Sequence, residues 1–164
     1  MNTPTRYHPL LVALHWLTVI LLLGAGFLSE AGGNSPVTPH MIIGALLAIV
    51  MITRLIVRFT TKRPASANTG NKALNKLGEL IHIGLYFFTF YILTLGGLIA
   101  VKRNLIGYLL GNGEAIRVDR LIGALHHFGW LAIMGLLLLH IGGAIYHQII
   151  LKDNLLSRMG FKKS

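Results

Sequence analysis

Residues 121–151 read LIGALHHFGWLAIMGLLLLHIGGAIYHQIIL and contain no Asp, Glu, Lys or Arg. A helix of about 20 apolar residues crosses the hydrocarbon core of a bilayer, so this run is long enough to span with tilt or to protrude. It also carries His126, His127, His140 and His147. Ionisable side chains inside a bilayer are costly and mark functional sites. The same stretch therefore speaks to both fold and chemistry: a membrane helix built around imidazoles.

Three further runs of this kind precede it, at residues 9–28, 40–59 and 80–101. The chain is 54% hydrophobic and only 12% charged, where soluble domains carry about 25% charged residues. The expected fold is all-α: a four-helix transmembrane bundle with up-down antiparallel connectivity, forming one domain over residues 1–164. The first run is too long for a signal-peptide core. The connections are EAGGNSPVTP (30–39), rich in Gly and Pro breakers, the basic TTKRPASANTGNKALNK (60–76), and KRNLIGYLLGNGEAIRVDR (102–120), with room for a short interfacial segment.

A formal net charge of +10 would suggest nucleic acid in a soluble protein. Here the basic residues flank the apolar runs, the pattern of topology signals. No aromatic and basic surface is interleaved for bases, so no nucleic-acid partner is expected. Arg6, Arg54, Arg58, Lys62, Arg63, Lys72, Lys76, Lys152, Arg158, Lys162 and Lys163 fall on one side of the spans. Lys102, Arg103, Arg117 and Arg120 fall on the other. The bias places both termini and the second connection in the cytoplasm.

The chain has no cysteine, which excludes thiolate-held iron–sulfur clusters and the covalent attachment of c-type haem. A metal or haem must be held by histidine or another side chain. His15 and His140 lie at matching depths from the inner ends of their spans, and His40 and His126 at matching depths from the outer edge. His126 and His140 are 14 positions apart, about 21 Å along a helix and within about 40° around it. They face one interior but cannot share an ion, so two sites at two depths are required. A haem takes one axial ligand on each face, and a histidine from each of two helices suits it.

Alternatives stand beside these readings. A membrane histidine can also serve only as an interhelical hydrogen-bonding group. His127 points about 100° from His126; it is either interfacial or the reserve outer ligand. Gly44, Gly129 and Gly143 leave room for a porphyrin or permit close helix packing. Arg54 and Arg58 either anchor the inner end of the second span or pair with haem propionates.

The chain resembles the bacterial cytochrome b561 family over nearly its whole length. The resemblance is carried by ALHWL with His15, HMIIG with His40, RLIVR from Arg54 to Arg58, and the L-x-x-x-x-H-x-x-x-Y stretch with His82 and Tyr86. It continues through RVD at Arg117, His126, His140, His147 and the closing KDNLL. It implies two haem b groups, with His15 and His140 matching the inner ligands and His40 and His126 the outer ones. It also implies a quinone site near His82 and His147, with Tyr86 and Tyr146 close in sequence; anchoring of helix ends is the other reading of those histidines.

Some family members are similar to a superoxide oxidase that reduces ubiquinone. Others resemble cytochrome b subunits that carry electrons between a periplasmic dehydrogenase or hydrogenase and the quinone pool. The preferred expectation is the first, an inner-membrane oxidoreductase. Lys102, Arg103, Arg117 and Arg120, set against Glu114 and Asp119, either attract the superoxide anion or are ordinary loop charges. A haem-free membrane protein such as a transporter is the remaining class, and four helices without broken segments suit it poorly.

Overall fold

The computed structural model describes residues 4–30, 37–102, 104, 107, 110, 111 and 120–160. Its regular elements are α1 (Pro9–Glu30), α2 (Val37–Thr60), α3 (Lys72–Lys102) and α4 (Arg120–Ile145), all α-helical. A π-helical turn (Tyr146–Leu151) and a short 3-10 turn (Leu155–Met159) follow α4. No strand occurs among the described residues. All four helices are long and apolar enough to cross a membrane, the fourth span running Arg120–Leu151 through the π turn.

Local chemistry explains the ends. Pro9 opens α1 at the first helical position, where its missing N–H costs nothing, and the His8 carbonyl accepts the Val12 N–H. Asn71 caps α3: its Oδ1 accepts from Ala73 N at 2.8 Å and Leu74 N at 3.4 Å. That cap starts α3 at Lys72, eight residues before the apolar run and inside the stretch expected to be loop. The segment from Lys72 to Glu79 is polar but rich in helix formers. Hydropathy marks where lipid begins, not where the helix does. Val37 likewise starts α2 ahead of His40, with Pro39 in its first turn.

Inside the spans, threonine hydroxyls bond back to carbonyls one turn earlier: Thr18 to Leu14, Thr53 to Ile49, Thr89 to Leu85 and Thr94 to Phe90. This satisfies a polar group that lipid could not. Most apolar side chains point away from the protein, including Phe27, Ile20 and Leu138. That surface is stable only against hydrocarbon.

The closest helix pairings join α1 to α2 and α3 to α4, while α2 approaches α3 over a shorter stretch. Leu22, Leu47, Met51, Ile92 and Ile133 form the central core. Leu11, Leu14 and Val57 form a second one, with Tyr7 and Val50 against it. Tyr7 N–H donates to the Arg158 carbonyl, Trp16 Nε1 to the Met159 carbonyl, and Arg158 to the Ala65 carbonyl. Both ends of the described chain and the α2–α3 connection thus meet at one end of the bundle.

Candidate functional site

Imidazoles from the two helix pairs meet at two levels. The rings of His15 (α1) and His140 (α4) lie 6.3 Å apart, centroid to centroid, with planes at 66°. Those of His40 (α2) and His126 (α4) lie 6.1 Å apart at 74°. Two imidazoles on opposite faces of one iron have a fixed separation. Each metal–nitrogen bond is about 2 Å and each ring centre lies about 1 Å beyond its nitrogen, which gives about 6 Å in all. Both pairs sit at that value. Among the described residues no three His, Asp or Glu side chains converge as for a bare ion. A pair of imidazoles would fill two of six positions around an iron, and a porphyrin would bring the other four ligands with it.

Tautomer is readable at two of these rings. His40 Nδ1 lies 2.9 Å from the Ala25 carbonyl. A carbonyl only accepts, so Nδ1 carries the proton and Nε2 keeps the lone pair that a metal needs. His126 Nδ1 is buried, and the backbone of Ile92 lies within hydrogen-bonding reach of the ring. The His126 ring packs against Gly96 of α3, where an added Cβ would stand 3.3 Å from Cε1.

His15 differs. An Arg54 Nη2 donates to its Nδ1 at 2.9 Å, which puts the ring proton on Nε2. The same guanidinium lies 5.3 Å from the Tyr86 ring centre, and Arg58 lies 5.4 Å from it. Arg54 Nε and the Tyr86 hydroxyl are both buried without partners.

His82 and His147 occupy different surroundings. The His82 ring is exposed, 4.9 Å from that of His140, too close for an iron between them and close enough for direct contact. Its Nδ1–H donates to the Gly78 carbonyl at 2.7 Å. His82 also lines a lateral groove of about 690 Å³ between α2 and α3, with Arg58, Arg63, Tyr86 and Phe90 among its walls. His147 is not among the groove's residues. It is buried in the π turn, 2.6 Å from Asp153 Oδ2. That hydrogen bond holds the Asp153 carboxyl below its ordinary range. The contacts of His82 depend on how α3 is rotated against α4, which spacing along the chain does not fix.

His127 is exposed. Gly129 is closely packed: a Cβ there would collide with Ile92 and Tyr91 of α3. Gly44 and Gly143 face open space instead. Lys102 and Arg120 are exposed at the ends of α3 and α4. Arg103, Glu114, Arg117 and Asp119 lie outside the described residues.

Known proteins give this arrangement a context. The family described as prokaryotic cytochrome b561 matches residues 6–162. Cytochrome b561 homolog 2 of Escherichia coli (strain K12) is 29% identical over 181 aligned positions, covering 99% of this chain and 95% of that protein. Four membrane-crossing helices and paired histidines at two levels agree with a multi-pass electron-transfer cytochrome that binds b-type haem. The chain belongs to the prokaryotic cytochrome b561 family.

Proposed function

We propose that this chain is a dihaem cytochrome b of the bacterial inner membrane, up-down in topology with both termini cytoplasmic. It oxidises superoxide and reduces ubiquinone. The observation that carries this is the pair of histidine couples at 6.3 and 6.1 Å, one toward each end of the bundle. When bound, b-type haem supplies a reversible one-electron carrier at each level. His15 and His140 would hold the inner group, His40 and His126 the outer.

The residues around the couples do the rest. Ala25 orients His40 through its carbonyl, and Gly96 leaves the His126 ring its space. The outer basic residues Lys102, Arg103, Arg117 and Arg120 draw in an anion. Two superoxide anions give up one electron each and leave as dioxygen; one ubiquinone takes both electrons and two protons. His82 and His147 are the histidines assigned to the quinone end. His82 has the stronger claim, since its ring touches His140 and lines a groove open toward lipid.

A reduced-minus-oxidised spectrum of purified protein is expected to show a b-type band with two haems per chain. Superoxide, supplied with a soluble quinone, is expected to reduce first the haems and then the quinone. A chain without haem would end the redox reading altogether. Haems that ignore superoxide but accept electrons from a periplasmic dehydrogenase or hydrogenase would make the protein a carrier subunit instead.

A further inference from the structure

Arg54 is a half-buried arginine in the wall of a membrane bundle, its Nε fully enclosed, and among the described residues no carboxylate pairs with it. The chain has five acidic residues. Glu79 is paired with Lys76, and Asp153 bonds His147. Glu30, Glu114 and Asp119 lie by chain order beyond the opposite ends of the spans. Arg54 is 17 residues into α2, about 25 Å from its start. A charge in this position is retained only if something pairs with it.

Its present acceptor is a poor substitute. Nδ1 of His15 can take the Arg54 proton only while the ring's own proton is on Nε2. A His15 that binds metal through Nε2 carries its proton on Nδ1, and Arg54 must then find another acceptor. A second orphan sits beside it. The Tyr86 hydroxyl is buried without a partner, on a ring that Arg54 and Arg58 both stack against at 5.3 and 5.4 Å. Two buried donors, Arg54 Nε and Tyr86 Oη, are thus held together next to the His15–His140 couple and lack an acceptor.

We infer that Arg54 and Tyr86 form a carboxylate-binding site for a propionate of the inner haem. The inference rests on the dihaem reading above. A carboxylate takes two N–H bonds from one guanidinium and has lone pairs left for a phenol. Arg58, also packed over the Tyr86 ring, helps hold it in place and adds positive charge. Tyr86 is then a haem-anchoring residue, whereas its sequence position suggested the quinone site.

The test uses the full-length holoprotein as wild type and as Arg54→Gln, Arg54→Lys and Tyr86→Phe. It reads haem per chain, the two midpoint potentials, and redox-difference infrared spectra with haem ¹³C-labelled at the propionate carboxyls. Arg54→Gln is expected to lower one midpoint potential, since an unpaired propionate disfavours reduction, or to lose one haem while the other stays. Arg54→Lys should recover part of the effect, as a charged but single-point donor. Tyr86→Phe removes only the hydroxyl, should fold normally, and is expected to shift a labelled carboxylate band. Unchanged potentials and labelled bands in Arg54→Gln and Tyr86→Phe would overturn the site. So would unchanged bands accompanied by a loss of bound phospholipid, which would give Arg54 a lipid phosphate as its partner. A wild-type protein without haem would instead defeat the dihaem reading on which the inference stands.

Discussion

His140 faces two other imidazoles, His15 across the helix pairs and His82 from α3, and only the first separation has the length of a shared iron. Replacing His140 by Ala should remove one haem and leave the other, and His126→Ala should remove the complementary one. Haem per chain and the two-step redox titration check this; loss of both or neither in each variant would break the proposed pairing. His82→Ala should keep both haems. Matching depths along the chain is enough to set His15 level with His140 and His40 level with His126, because rise per residue is fixed in a helix; that the levelled rings also face each other comes from the packing. The sequence does not tell that His82 reaches His140, that two arginines pack over Tyr86, or that His147 bonds Asp153. Those contacts depend on helix rotation and on a local departure from α-helical geometry.

Close approach of α3 and α4 depends on Gly129. An added Cβ there meets Ile92 and Tyr91, so Gly129→Ala should cost about 1–3 kcal/mol by forcing the helices apart. The unfolding midpoint in mild detergent reads it. Gly142→Ala, where a Cβ meets nothing, is the control and should be neutral or slightly stabilising.

At the other end of α4, the His147 carbonyl accepts from both Lys152 N–H and Asp153 N–H, with Lys152 in the left-handed region. These two bonds, reaching back five and six residues to one carbonyl, close the π turn at a left-handed residue, and the His147–Asp153 side-chain bond ties it down. The Asp153 pKa is lowered on folding, so its contribution is present above the ordinary carboxylate value of about 4 and is lost as pH falls through the lowered one. Amide protection in the 152–153 turn should fall on acidification, and in Asp153→Asn already at neutral pH. Equal protection in both proteins at both pH values would remove the role. Four long elements were legible from apolar runs alone. The early start of α3 was not, because a capped polar turn carries no hydropathy signal.

The whole bundle presents hydrocarbon-compatible surface along its sides and gathers charge at its ends. Among the described residues, Arg6, Lys62, Arg63 and Arg158 lie on the segments that hydrogen bonds bring together, the distribution expected of a cytoplasmic end. Because the chain lacks cysteine, single substitutions report sidedness directly. Ser66→Cys should react with a membrane-impermeant maleimide only from the cytoplasmic side, and Asn104→Cys only from the periplasmic side. Reversed labelling would invert the topology and move the proposed quinone end outward. Membrane class and span number are plain in composition, since lipid imposes one hydropathy rule on every exposed position. How the helix pairs sit against each other is not, because outward-facing and inward-facing apolar residues look alike in a string of letters.

The stitching of Trp16 to Met159 joins positions 143 residues apart. Ribosomes add about 5–20 residues per second, so Trp16 waits on the order of ten seconds or more for its acceptor to be made. Until then the first helix can be in the bilayer, with its histidine accessible from the side on which α4 will later arrive. On the dihaem reading, the face of α1 that carries His15 therefore stays open for that interval, before the last turn fastens the beginning of the chain to its end.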